Sequence, residues 1–254
     1  MSFPIVNCMY RWDGREIPFA PADKKCVALL GDWSYIEGED PARTVPRTVA
    51  AAVSYAARNT SMTYGLLDLE GRLLDRYAEI AIEIYRALPH MKLGCWAGDQ
   101  HSLPQDLTDA IRDGKLGPDA CILASSYQHY AETPYEAMMD ARRVWDVYNA
   151  TYRGYPIMPC LSVELGWCHP LYPTGRDSVG PLTSPQNLRA RIEAYWALKS
   201  DFSNLKGVMI WGSALNADDA RAAAITEIGR DCTSSVNVLR SYVSSYDFRR
   251  SMTL

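Results

Sequence analysis

The chain has 254 residues, 48% of them apolar and 22% charged, with a net charge of −4, an ordinary globular composition with enough apolar mass for one large core. The charges are spread without basic blocks, which argues against nucleic acid as a partner and leaves a polyanion with little general steering. No apolar run reaches the roughly 18 residues of a membrane span, and Met1-Ser2-Phe3-Pro4-Ile5-Val6-Asn7 has neither the basic nor the apolar region of a signal peptide. The expected location is therefore cytoplasmic or, for a phage-encoded protein, the virion, with no membrane partner.

Apolar strand-like runs recur at 5–10, 27–31, 64–69, 92–96, 120–124, 157–161 and 208–211. Between them, helical periodicity predicts helices at 45–58, 72–88, 103–113, 134–152, 184–200 and 217–230. Thr133-Pro134 and Ser184-Pro185 each set a capping residue before a proline suited to the first helical position. Short strands that are apolar on both sides and alternate with helices imply a parallel sheet. No glycine-rich phosphate loop follows the first strand, whereas polar and aromatic residues follow nearly every strand. The expected fold is thus an α/β, TIM-like parallel barrel of seven or eight strands rather than an open doubly wound sheet.

No linker or repeat divides the chain, so residues 1–232 are read as a single barrel domain of catalytic type. Residues 233–254 form a polar tail with Tyr242, Tyr246 and Phe248, expected to pack on the barrel or to mediate homo-oligomer or virion assembly. The segment 166–183, rich in Pro, Gly and aromatics, follows a strand and is long for a simple connection, which marks it as a candidate functional loop.

The seven cysteines, at 8, 26, 95, 121, 160, 168 and 232, include no CxxC pair and no Cys-His cluster at zinc spacing. Their odd number and largely apolar settings read as small buried residues in a reducing compartment. His101, His129 and His169 each follow a strand, but no two share ligand spacing, so no metal and no cofactor is expected.

The residues at the strand ends collect carboxylates and aromatics: Asp32 and Trp33, then Asp68 and Glu70, Trp96, Tyr127, Glu164 and Trp211. Carbohydrate sites need this mixture, because sugar C–H faces stack on aromatic rings while hydroxyls and leaving groups need acids. The most specific piece is Tyr64-Gly65-Leu66-Leu67-Asp68-Leu69-Glu70-Gly71. Residues i and i+2 of a strand point the same way, so Asp68 and Glu70 share one face at a carboxyl end. Glu70, nearer the rim and with its pKa raised by Asp68 and by burial, is the expected proton donor, and Asp68 the expected charge stabiliser. Two acids this close cannot flank a sugar ring at the 5 Å or more that opposed carboxylates need. The second partner must be a substrate acetamido oxygen, oriented by Asp68 and a tyrosine such as Tyr127, or another acid such as Glu164 or Asp32. Asp32, Trp33, Trp96, Tyr127, Glu164 and Trp211 are the expected substrate-binding residues.

The Asp-x-Glu run and the late stretch Lys206-Gly207-Val208-Met209-Ile210-Trp211-Gly212-Ser213 resemble the Asp-x-Glu glycoside hydrolase barrels, which include hyaluronidases, family 18 chitinase-like enzymes and family 25 lysozymes. The late stretch is most similar to the hyaluronidase Gly-Val-x-x-Trp-Gly pattern. Leu69 stands where hyaluronidases carry Trp between the acids, and Tyr64 and Leu66 stand where the chitinase pattern carries further acids. The resemblance implies a glycosidase barrel with Glu70 as the acid and Trp211 as the floor of a sugar site, and leaves the substrate open.

The function expected is hydrolysis of an amino-sugar-containing polysaccharide by acid catalysis, with or without acetamido participation. A second reading is a catalytically silent barrel serving as a structural or glycan-binding virion protein, since fold does not fix function. A third reading is magnesium-dependent chemistry on Asp32, Glu70, Asp99 and Glu164, carboxylates at neighbouring strand ends.

Overall fold

A computed structural model of the chain describes residues 4–11, 25–30, 41–57, 63–69, 71–97, 102–126, 133–162 and 183–214. Seven strands lie in these segments: β1 (Ile5–Arg11), β2 (Lys25–Leu30), β3 (Tyr64–Asp68), β4 (Lys92–Ala97), β5 (Cys121–Ser126), β6 (Ile157–Ser162) and β7 (Val208–Ala214). Each pairs in parallel with the next in chain order. β7 pairs with β1 from Ile5↔Val208 to Arg11↔Ala214, which carries the ladder back to its start. All seven sequence-predicted strands are present, with ends shifted by at most three residues.

The described helices are α1 (Pro41–Ala57), α2 (Tyr77–Ala87), α3 (Gln105–Arg112), α4 (Pro134–Thr151) and α5 (Pro185–Leu198). The helix expected at 217–230 lies outside the described residues. α4 starts as its sequence predicts, with Thr133 as N-cap and a full capping box: the Glu136 amide donates to Thr133 Oγ1 at 3.3 Å, and the Thr133 amide donates to Glu136 Oε2 at 2.7 Å. At α5 the Ser184 hydroxyl accepts from the Asn187 amide at 3.1 Å.

Three helix starts differ from expectation, each for a local reason. α1 begins four residues before Val45, at Pro41, whose fixed φ suits a first helical residue, and it continues through Pro46 at the loss of one backbone bond. α3 begins at Gln105 rather than Leu103, because Pro104 is extended (ψ 142°) and a residue before proline avoids the helical region. The stretch expected to open as α-helix at residue 72 is instead a 3₁₀ helix (Gly71–Arg76), and no side chain caps the α-helix that follows at Tyr77.

Strand alternation divides the core in two. One face of the sheet, with Ile5, Leu67, Leu69, Leu93, Cys95, Ile122, Ala124, Ile157, Leu161, Val208 and Ile210, packs against the helices. The alternate positions Val6, Leu66, Cys121, Leu123, Met158, Cys160 and Met209 form a second cluster enclosed by the strands, with Tyr64, Trp96 and Trp211 packed against it. Among the described residues the inner face of the ladder is thus lined by an apolar cluster, as in TIM-type barrels. At the amino end Gly207 (φ +142°) brings β7 against the start of β1: a Cβ there would lie 2.4 Å from the Pro4 carbonyl, which accepts from the Val208 amide at 3.0 Å.

Candidate active site at the carboxyl ends of the strands

The positions two residues beyond the inner cluster, on the same faces of their strands, are Asp68 on β3, Trp96 on β4, Ser125 on β5, Ser162 on β6 and Trp211 on β7. Asp68 follows Leu66 and Tyr64; Ser125 follows Leu123 and Cys121; Ser162 follows Cys160 and Met158; Trp211 follows Met209. Register ties them together, because Trp96 is the Cα partner of Leu123, Ser125 of Cys160, and Ser162 of Trp211. Asp68, Trp96 and Trp211 are half-buried, whereas Ser125 and Ser162 are buried. One acid, two indole rings and two hydroxyls thus ring the carboxyl end of a core whose next layer down is apolar.

Of the residues singled out in the sequence, Asp68, Trp96 and Trp211 are described, and all three fall on this inner face. Asp32, Trp33, Glu70, Tyr127 and Glu164 lie outside the described residues, as do Asp99, His101, His129, His169 and most of the segment 166–183. Among the described residues no group of three or more His, Cys, Asp or Glu is arranged to hold a metal ion. No described helix is long and apolar enough to cross a membrane.

Sequence reasoning missed the groups that hold the strand ends in place. Buried Tyr77, the first residue of α2, donates its hydroxyl to the Leu67 carbonyl at 2.5 Å and accepts from the Trp96 amide at 3.0 Å. One phenol therefore links β3 to β4 beside Asp68 and at Trp96 itself. Tyr148 of α4 repeats the device one strand on, donating to the Ala97 carbonyl at 3.0 Å and accepting from the Ser125 amide at 3.2 Å. Strands splay toward the rim of a barrel, where ladder bonds between neighbours run out, and in both places a helix tyrosine supplies the missing partner.

A third anchor lies behind β5. The Ser126 hydroxyl is 2.7 Å from Tyr195 Oη, and Arg191 Nη1 approaches it at 3.4 Å. Arg191 is fully buried and pairs with Asp140 of α4 at 2.9 Å, which ties α5 to α4. Burial pushes the Asp140 carboxyl up, but hydrogen bonding from Arg143 and the charge and hydrogen bond of Arg191 outweigh it and hold the pKa below the ordinary Asp value. Burial raises the Tyr195 phenol well above its usual range, so it stays neutral.

Where the chain is described, Cys95, Cys121 and Cys160 are buried, as expected of small core residues, and none is in a disulfide. Burial raises the Cys95 thiol strongly and the Cys121 thiol to about 12, so neither is a thiolate nucleophile near neutrality.

No protein-family model matches the chain, and no curated protein matches it in sequence. Among solved structures the chain is similar to a family 18 chitinase from Crocus vernus, at 12% identity over 84% of this chain and 72% of that one, with a TM-score of 0.49. It is also similar to the catalytic domain of a family GH18 chitinase from the fern Peteris ryukyuensis, at 17% identity over 83% of this chain and 73% of that one, with a TM-score of 0.43. These are likenesses of overall trace.

Proposed function

We propose that this protein is a glycoside hydrolase acting on an amino-sugar-containing glycan at the carboxyl ends of its strands. In this reading residues 1–232 make up a complete (β/α) barrel of seven or eight strands, and residues 233–254 are an appended tail. What supports the proposal is that Asp68, Trp96 and Trp211 each lie, by strand alternation, on the inner face toward the carboxyl ends of parallel strands, where barrel enzymes hold their chemistry.

The division of labour follows from chemistry. Glu70, two residues beyond Asp68, is the proton donor to the glycosidic oxygen, and Asp68 stabilises the charge that develops on the sugar. Trp96 and Trp211 offer ring faces to sugar C–H surfaces. Asp32, Trp33, Tyr127 and Glu164, each following a strand in the sequence, would complete the substrate contacts. An acid pair only two residues apart in sequence leaves the nucleophile to the substrate's own acetamido oxygen or to a further acid such as Glu164 or Asp32.

The test is turnover by the wild-type protein on a panel of reducing-end-labelled oligosaccharides, with and without N-acetylamino sugars, read by separation of the products. Cleavage of N-acetylated members supports the proposal. Binding without cleavage across the panel would replace it with a catalytically silent glycan-binding barrel.

A further inference from the structure

Among the described residues, the large apolar side chains left well exposed are Tyr135 (67%), Met139 (47%) and Val147 (55%), and all three belong to α4. At about 3.6 residues per turn they fall on one side of that helix, together with Arg143, Asp146 and Ala150. The opposite side carries the buried residues Ala137, Ala141 and Trp145. A helix on the outside of a barrel needs one apolar stripe, and further large apolar groups on the face turned to water mark a place where a partner sits. The charges on that face are ordered too. Asp140 holds Arg143 from one turn back at 2.7 Å, yet the Arg143 side chain stays 70% exposed, and a guanidinium can serve two carboxylates at once. Asp146, three residues on, is exposed beside it.

We propose that this face of α4 is a self-association surface, on which a second copy of this chain docks through its own α4 in antiparallel orientation. Charge complementarity selects both the occupant and the orientation. With the helices antiparallel about a two-fold axis that passes between Arg143 and Asp146, each Arg143 meets Asp146 of the second copy, and symmetry forms the same pair again across the axis. Met139 then lies over Val147 and Ala150 of the second copy, and the reverse contact follows. Laid parallel, the same helices would bring Arg143 to Arg143 and Asp146 to Asp146. Exposed ion pairs add little affinity, so the charges fix the register while the apolar side chains supply the attraction. One helix per copy is a small interface, so the dimer is weak, with a Kd in the micromolar range. Because α4 leads from the carboxyl end of β5 back to the amino end of β6, the two carboxyl-end mouths open in opposite directions in this pair. The inference is independent of the glycosidase reading.

The experiment is sedimentation velocity of the full chain from about 1 to about 200 µM, a range that spans a weak dimer. The proteins are the wild type, Met139→Glu, Asp146→Arg and Arg143→Glu, each with a melting curve. The wild-type sedimentation coefficient should rise with concentration toward that of a dimer. Met139→Glu and Asp146→Arg should stay monomeric throughout and, as changes at exposed positions, should melt within about 2 °C of wild type. Mixing tests the register: Asp146→Arg and Arg143→Glu each set like charges together in their own dimer, whereas a mixed pair has opposite charges at both contacts. The equimolar mixture should therefore dimerise where neither variant alone does. A wild type that stays monomeric at the highest concentration would overturn the proposal, and a Met139→Glu that then melts several degrees lower would show that the chain covers this face itself. A dimer that survives in both Met139→Glu and Asp146→Arg would also overturn it, by placing the contact elsewhere, for instance on residues 233–254. Loss of the dimer in both, with no recovery in a mixture of folded variants, would overturn the antiparallel register. The first two variants decide the surface whether or not Arg143→Glu folds.

Discussion

Replacing Tyr77 by Phe removes one oxygen from a buried position and leaves the ring in place. The structure gives that oxygen two partners, the Leu67 carbonyl at 2.5 Å and the Trp96 amide at 3.0 Å, on two different strands. In the variant the Trp96 amide loses its acceptor in a site that water does not reach; an orphaned buried polar group costs about 1–3 kcal/mol, and the lost bond to the carbonyl about 1 kcal/mol more. The sum is roughly 2–4 kcal/mol. At roughly 2–4 °C per kcal/mol for a domain of this size, Tyr77→Phe should melt about 4–16 °C below wild type. Scanning calorimetry or circular dichroism measures this directly, with Tyr135→Phe, whose side chain is 67% exposed, as the unaffected control. The same variant should bind glycan more weakly, because the clip holds the strand ends that carry Asp68 and Trp96. A melting point within about 1 °C of wild type would refute the reasoning.

Asp140→Asn should destabilise the protein by about 3 kcal/mol at pH 7, the low end for breaking a buried pair, because Arg191 is fully buried while Asp140 keeps 22% of its side chain exposed. The pKa of Asp140 is lowered in the folded protein, so its contribution is complete above the ordinary Asp value near pH 4 and is lost as pH falls through the folded value; denaturant melts of variant and wild type should therefore converge on acidification. Thr133→Ala removes the capping box of α4 and should cost about 1 kcal/mol by urea titration. Gly94→Ala would place a Cβ 2.7 Å from the Leu123 side chain inside the enclosed core, and overpacking there should cost about 1–3 kcal/mol, read as a lower urea midpoint with an unchanged slope.

The strands were legible because a parallel strand buried on both faces writes itself as a short, continuous apolar run, as in Ile122-Leu123-Ala124 or Met209-Ile210. Alternation then followed at once: with Leu66 inside, Asp68 is inside, and with Met209 inside, so is Trp211. Thr133 and Ser184 were legible as caps because the cap, the proline and the first turn are contiguous. The tyrosine clips were not. Tyr77 and Tyr148 fit the apolar stripe of their helices as any large residue would, and only the offset between helix and strands decides whether a phenol oxygen reaches a backbone group across 19 or 51 residues of sequence. Arg191 is hidden for the same reason, since its partner Asp140 sits on a different helix. For Ser125 and Ser126, alternation indicates that they face opposite ways, but which of them finds a partner depends on where Tyr195 falls.

The proposal that Asp68 and Glu70 perform glycan hydrolysis is tested most directly by the rate at which Glu70→Gln cleaves a labelled N-acetylated amino-sugar oligomer that the wild type turns over. Gln keeps the shape and hydrogen bonding of the acid but cannot donate its proton. General acid catalysis contributes about 10²- to 10⁴-fold, so kcat should fall by that order while the melting point stays within about 2 °C of wild type. A Glu70→Gln protein that remains folded and cleaves at the wild-type rate would contradict the account.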